Sequence, residues 1–364
     1  MSFFTILSFI GGLILLIAGA ESLVKGASRI ASALGISSLV IGLTVVAFGT
    51  SSPELAISLQ STFNNQPDIA LGNVVGSNIF NVLFILGIAS IITPLVVDQQ
   101  LVKIDVPLMI FISFVLLFFS MNGIIGKFEG AVLFLALLVY IVFLIRLSRK
   151  EKKEIQEEYK KEFEYKDQKK AKYWIVNIIL VAAGLAMLVF GSNLLLDAAV
   201  AIARILGLSE LVIGLTIIAM GTSLPEVFTS VIASIRGERD IAVGNIVGSN
   251  IFNILAILGL TSFLAPNGIR VSPAAINVDI PVMIAVAVAC LPIFFTGNTI
   301  SRWEGVLFFF YYLVYTMFLI LKSTEHDSLP FFSTIVMTYI LPLTVLTMIV
   351  VLYRYFRKQK KTAG

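Results

Sequence analysis

Apolar residues run along the chain in long blocks: 3 to 25, 36 to 62, 70 to 93, 104 to 121 and 127 to 147, then 173 to 197, 208 to 235, 242 to 264, 277 to 296, 302 to 321 and 331 to 353. Each block has about the 20 residues that carry a helix across a hydrocarbon core. The pattern therefore predicts eleven transmembrane helices. Polar connections between them are short, except from 148 to 172, where basic and acidic residues alternate as in Lys150-Glu151-Lys152-Lys153-Glu154. That stretch reads as a charged, helical, cytoplasmic linker between two halves, too short to fold as a domain of its own. The first block starts at Phe3 with no basic residue before it and no small-residue cleavage site, so it reads as a retained span rather than a signal peptide.

The two halves repeat one another. Gly35-Ile36-Ser37-Ser38-Leu39-Val40-Ile41-Gly42-Leu43-Thr44 matches Gly207-Leu208-Ser209-Glu210-Leu211-Val212-Ile213-Gly214-Leu215-Thr216 at an offset of 172. The same offset aligns Gly49-Thr50-Ser51-Ser52-Pro53-Glu54 with Gly221-Thr222-Ser223-Leu224-Pro225-Glu226. It also aligns Gly72-Asn73-Val74-Val75-Gly76-Ser77-Asn78-Ile79-Phe80-Asn81 with Gly244-Asn245-Ile246-Val247-Gly248-Ser249-Asn250-Ile251-Phe252-Asn253. Asp105-Val106-Pro107 answers Asp279-Ile280-Pro281, and Phe128-Glu129-Gly130 answers Trp303-Glu304-Gly305, the offset drifting slightly. Each unit holds five spans, an odd number, so the second copy enters the membrane upside down. The expected fold is an all-α membrane protein: an inverted repeat of two five-helix halves, ten core transmembrane helices, plus one extra C-terminal transmembrane helix. The expected division is 1–147 for the first repeat, 148–172 for the linker, 173–321 for the second repeat, and 322–364 for the extra helix with its basic tail.

Composition agrees: of 364 residues, 58% are hydrophobic and 13% charged, against about a quarter charged in a soluble domain. Charge adds sidedness. With the N-terminus outside, all but four of the 26 Lys and Arg residues fall on the inner side, the exceptions being Lys127, Arg204, Arg270 and Lys322. Positive-inside logic then puts the C-terminus in the cytoplasm, in what is expected to be a bacterial plasma (inner) membrane. A single cysteine, Cys290, makes an intrachain disulfide impossible, and a single histidine, His326, excludes multi-His metal catalysis.

The chemistry gathers in the second, third, seventh and eighth spans. Pro53 and Pro225 each remove a backbone donor and clash with the preceding turn, which predicts freed carbonyls around 47 to 50 and 219 to 222. Thr50 and Glu54, four apart, are expected on one face beside Ala47, Ser51 and Ser58, with Thr222, Ser223 and Glu226 repeating the arrangement. Asn73, Ser77 and Asn81 recur every fourth residue, as do Asn245, Ser249 and Asn253. All are oxygen donors; without Cys or His they suit Na⁺, Ca²⁺ or Mg²⁺ and argue against zinc or copper. A mid-membrane carboxylate costs about 2.5–3.5 kcal/mol or more, so paired Glu54 and Glu226 mark an ion site. Gly72-x-x-x-Gly76 and Gly244-x-x-x-Gly248 read as close helix packing. Asp105, Asp279, Glu129 and Glu304 read as helix caps near the interface. Glu21, answered by Asn193, is a weaker candidate for lining a path.

Gly-Thr-Ser-x-Pro-Glu followed by Gly-Asn-x-Val-Gly-Ser-Asn-Ile-Phe-Asn, present twice, resembles the paired α-repeats of the calcium/cation antiporter superfamily, and within it the prokaryotic-type sodium/calcium exchanger family. The resemblance covers residues 1 to about 321. It implies broken helices around a central site, a sliding pair formed by the first and sixth spans, and exchange of Na⁺ for Ca²⁺ by alternating access. Carried over residue by residue, Glu54 and Glu226 would be carboxylates shared by both ions. Thr50, Ser51, Thr222 and Ser223 would add backbone and hydroxyl oxygens, Ala47 and Ala219 their carbonyls, and Ser77, Asn81, Ser249 and Asn253 the rest of the shell. Many relatives carry Asp where this chain has Asn253, which speaks for transport independent of K⁺. The eleventh span lies outside the family pattern. A proton-coupled Ca²⁺ antiporter of the same superfamily is the alternative; an intramembrane enzyme is disfavoured because no nucleophile-base pair is present. The expected partners are Na⁺ and Ca²⁺ as substrates and the lipid bilayer, with no cofactor and no nucleic acid. A monomer is expected to suffice for transport, and the oligomeric state stays open.

Overall fold

The structure, a computed structural model, describes residues 3–64, 66–148, 171–207, 210–213, 216–217, 219–295 and 298–340, with 342, 345 and 349. Most of the expected linker and the last part of the expected eleventh span lie outside the described residues. The described helices are α1 (Phe3–Leu34), α2 (Ser38–Thr50), α3 (Ser52–Phe63), α4 (Ile69–Ile92), α5 (Leu101–Ser120) and α6 (Lys127–Ser148). They continue with α7 (Ala171–Ile205), the short α8 (Glu210–Ile213) and α9 (Ala219–Gly221), and α10 (Leu224–Ile235). The remainder are α11 (Arg239–Leu264), α12 (Ile280–Phe295), α13 (Arg302–Ser323) and α14 (Leu329–Ile335). Among the described residues, 7 helices are long and apolar enough to span a membrane, or up to 8 if α2 and α3 count as one bent span.

Two expectations need correction. The first and sixth spans are longer than hydropathy alone suggests: α1 has 32 residues and α7 has 35, because helical hydrogen bonding continues past the polar residues at which the apolar block ends. At about 1.5 Å per residue both exceed the hydrocarbon thickness, so they tilt or protrude. The chain is also not purely α-helical. Two antiparallel ribbons tie the halves together: β1 (Leu95–Val96) pairs with β4 (Thr299–Ile300), and β2 (Ile124–Ile125) with β3 (Ile269–Arg270). β-branched residues at these span ends favour extended backbone, and pairing satisfies its donors.

α1 and α7 pack along their lengths in antiparallel register. A Cβ on Gly12 would stand 2.8 Å from the Gly191 carbonyl, and one on Gly19 would stand 2.9 Å from that of Gly184. With lipid as apolar as the side chains, such close backbone contact is a main source of helix association. Two more glycine contacts repeat across the halves: Gly130 of α6 meets Gly259 of α11, and Gly305 of α13 meets Gly87 of α4. α4 and α11 run through the centre. Each carries a π-helical stretch at matching positions, Asn81–Leu86 and Asn253–Leu258, a widening of the helix common at functional sites.

Candidate functional site

α2 and α3 meet at Ser51 (φ −82°, ψ 7°) and bend by 44°. In the second half, α10 restarts after Ser223 (φ −88°, ψ 7°). Pro53 and Pro225 therefore sit in the first turns of new helices, where their missing N–H is harmless. The expected freeing of carbonyls is accordingly smaller than a mid-helix proline would produce. The Ala47 carbonyl still accepts from Ser51 N at 3.0 Å and lies 3.3 Å from Thr50 Oγ1, and the Gly49 carbonyl accepts from Ser52 Oγ at 2.7 Å. Ala219 opens the short α9 just before the second break.

Around the break, the side-chain hydrogen bonds of the paired motifs run from one half to the other. Backbone bonds from Ser51 N to the Ala47 carbonyl and from Leu55 N to the Ser51 carbonyl carry the chain through the bend. Ser223 Oγ donates to Glu54 Oε1 at 2.9 Å, and Ser51 Oγ donates to Glu226 Oε1 at 2.9 Å. Ser223 Oγ also lies 3.3 Å from Ser77 Oγ. Thr222 sits close to the Glu54 carboxylate, and Thr50 and Ser249 close to that of Glu226, while the two carboxylates are near enough to feel each other's charge. Both Glu side chains are 1% exposed.

Asparagines form the surrounding frame. Asn73 Nδ2 donates to the Glu54 carbonyl and to Ser58 Oγ, each at 3.1 Å. Asn245 Nδ2 donates to Ser230 Oγ at 3.0 Å, and its Oδ1 lies 3.1 Å from Thr50 Oγ1. Asn81 and Asn253 donate to Asn250 Oδ1 (3.0 Å) and Asn78 Oδ1 (2.9 Å). Asn78 and Asn250 were not singled out from sequence. The available signal was their place in both copies of Gly-Ser-Asn-Ile-Phe-Asn, one residue off the Ser77 and Ser249 stripe.

Of the thirteen buried side-chain atoms without a hydrogen-bond partner among the described residues, six belong to the repeated motifs: Glu54 Oε2, Glu226 Oε2, Asn81 Oδ1, Asn253 Oδ1, Thr222 Oγ1 and Ser249 Oγ. Buried polar atoms normally find partners. Six orphans among residues of one repeated motif form an oxygen set that a hard cation can satisfy and that offers little to a soft metal.

The outlying acids divide. Asp105 is fully buried and makes no capping bond; its carboxylate accepts from Tyr140 Oη at 2.9 Å and Gln100 Nε2 at 3.0 Å, so the helix-cap expectation is corrected. The preceding turn is π-helical and already wide, which leaves the side chain free to point inward. Asp279 is half-buried, with Lys322 nearby. Glu129 and Glu304 do cap: Glu129 Oε2 accepts from Gly126 N at 3.0 Å, and Glu304 completes a capping box with Ser301. Glu21 forms an ion pair with Arg236, both side chains well exposed.

The sequence profile described as sodium/calcium exchanger protein matches residues 4–146 and 176–321. A putative antiporter, CaxA, of Alkalimonas amylolytica is 40% identical, over 77% of this chain and 86% of its own length. The sodium/calcium exchanger MaX1 of Methanosarcina acetivorans is 33% identical, over 85% of this chain and 96% of its own. A solved structure of the sodium-calcium exchanger NCX_Mj, soaked with zero Na⁺ and Ca²⁺, superposes with a TM-score of 0.73 at 30% identity, covering 86% of this chain and 98% of that one.

Proposed function

The chain belongs to the sodium/calcium exchanger family, and from that premise we propose that it exchanges Na⁺ for Ca²⁺ across its membrane by alternating access, without a requirement for K⁺. It is a multi-pass membrane cation antiporter and not an enzyme. The observation that carries the sodium/calcium reading is the orphaned oxygen set around Glu54 and Glu226, buried, cross-linked between halves and devoid of nitrogen or sulfur ligands. Glu54 and Glu226 are proposed as the shared carboxylates. Thr50, Ser51, Thr222, Ser223, Ser77, Asn81, Ser249 and Asn253 add hydroxyl, backbone or amide oxygens, with Ala47 and Ala219 contributing carbonyls.

The proposed architecture is ten core helices in two inverted halves, 1–147 and 173–321, joined by the 148–172 linker, with a further helix beyond 322. The reciprocal contacts favour it: Ser51 to Glu226 with Ser223 to Glu54, β1–β4 with β2–β3, and antiparallel α1 and α7. The N-terminus would lie outside and the C-terminus in the cytoplasm of a bacterial plasma membrane, with a monomer sufficient for transport.

With both Glu ionised, Ca²⁺ makes the site neutral, whereas three Na⁺, the number the resemblance suggests, leave it at +1. Exchange should then be electrogenic, one charge per cycle being worth about 2.3 kcal/mol per 100 mV. Proteoliposomes loaded with Na⁺ test this. Ca²⁺ uptake should follow the Na⁺ gradient, speed up when the interior is made positive, and need no K⁺ beyond charge compensation. Uptake that follows a pH gradient and ignores Na⁺ would replace this reading by the proton-coupled one, and an absolute K⁺ requirement at clamped voltage would refute K⁺ independence.

A further inference from the structure

We propose that Asn78 and Asn250 are positioning residues that set which end of the Asn253 and Asn81 amides faces the ion, so that each presents oxygen rather than NH₂. This inference rests on the exchanger reading above and extends it to residues that need not touch an ion.

An asparagine amide can be turned either way, and only its partners decide which way it lies. Asn78 Nδ2 has two neighbours that can only accept: the Asn250 backbone carbonyl at 3.3 Å and Met283 Sδ at 3.5 Å. The NH₂ of Asn78 must point there, so its Oδ1 points away and must accept. What it accepts is Asn253 Nδ2, at 2.9 Å. The Asn253 NH₂ is thereby committed, and its Oδ1 is left buried and without a donor.

The same chain of reasoning runs in the other half. Asn250 Nδ2 donates to the Asn78 carbonyl at 3.3 Å and to Met109 Sδ at 3.5 Å, Asn250 Oδ1 accepts from Asn81 Nδ2 at 3.0 Å, and Asn81 Oδ1 is the orphan. All four asparagines are at most 2% exposed, so their protein neighbours set how each amide lies. A turned Asn253 or Asn81 would aim a donor at a cation and leave an Oδ1 of Asn78 or Asn250 facing another oxygen. α5 and α12, which hold Met109 and Met283, thus reach the ion site through a thioether and two amides. An aspartate in place of Asn253 would not need the clamp, since its two oxygens are equivalent.

That equivalence supplies the test. Asn78→Leu removes the acceptor that Asn253 Nδ2 uses. It is to be measured alone and in the Asn253→Asp background, with Asn250→Leu and Asn81→Asp as the mirror pair. The readouts are the Ca²⁺ half-saturation of Na⁺-driven uptake and, on the same preparations, the Ca²⁺ dependence of the unfolding midpoint. Asn78→Leu should weaken half-saturation on the order of tenfold with Asn253 present. With Asp at 253 that loss should disappear, half-saturation staying within about twofold or tightening, because Asn78 Oδ1 then faces a carboxylate oxygen that has nothing to donate. The same factor in both backgrounds would reduce Asn78 to a structural role, and unchanged half-saturation beside Asn253 would end the proposal. If Asn78→Leu yields too little folded protein, Asn78→Ala in the two backgrounds gives the same comparison. Wild-type protein stabilised by Ca²⁺ but inactive in exchange would sink the exchanger reading alone, leaving the clamp to be judged on stabilisation. Wild type with neither response would overturn both.

Discussion

Gly244 and Gly248 of α11 are buried against α2, where a Cβ on Gly248 would stand 2.8 Å from Ala47 Cβ and from Leu43 Cα; Gly72 and Gly76 of α4, their counterparts, have nothing within 4 Å among the described residues. Asn245 is 0% exposed, while its equivalent Asn73 is half-buried. The most apolar stretch of α11 is 100% buried and that of α4 only 72%. Two nearly identical sequence blocks therefore differ in burial, one covered by α2 and the other more exposed among the described residues. The expectation of close glycine packing is met at Gly244 and Gly248. Local sequence does not account for that difference, because the blocks differ only at Val74 and Ile246; it comes from where the neighbouring helices stand. In the proposed mechanism the halves exchange these environments, and the glycines let either block accept the covered one.

The carboxylates should be where the comparison shows no asymmetry at all. Glu54→Gln and Glu226→Gln should each lower Ca²⁺ exchange at least about a hundredfold, the order expected when one charge of a desolvated cluster is removed. Membrane insertion should be intact. Near-normal flux in either variant would take that residue out of the site and make the halves functionally unequal.

The glycines should separate the blocks. Gly248→Ala drives a methyl into side chain and backbone of α2, an overpacking that costs about 1–3 kcal/mol and lowers the unfolding midpoint in detergent. Gly76→Ala should change stability by no more than about 0.5 kcal/mol. Gly76→Leu should nonetheless slow exchange, because the more exposed face has to be covered in the other state. Equal destabilisation by the two alanines would mean that the difference between the blocks is not maintained in solution.

A smaller contrast is expected between the outlying acids. Asp105→Ala strands Tyr140 Oη and Gln100 Nε2 and should cost about 1–3 kcal/mol. Asp279→Ala, at a half-buried position, should stay within about 0.5 kcal/mol. Thermal unfolding of both variants reads this directly, and a larger loss at Asp279 would reverse the assignment of which acid is structural.

Much of this was legible along the chain. Apolar block lengths announce membrane-spanning helices because the bilayer sets one length scale. Glu54 and Glu226 stand out because ionisable groups are expensive in hydrocarbon, whatever surrounds them. Glu129 and Glu304 were readable as caps because a cap is local, three residues from the backbone it serves.

What the chain by itself did not determine is every relation that crosses between the halves. Ser51 serves Glu226 and Ser223 serves Glu54, a pairing that no helical spacing contains, because the helices break between partner and neighbour. Asp105 turned inward to Tyr140, 35 positions away, although its sequence context is that of a cap. The amide orientation of Asn253 is decided by Asn78, 175 positions distant, and through it by Met283. Sequence carries the kinds of atoms available and the periodicities that place them on a helix. Which buried donor meets which acceptor is a matter of three-dimensional proximity, and in a water-poor interior each such meeting settles what the remaining oxygens are free to bind.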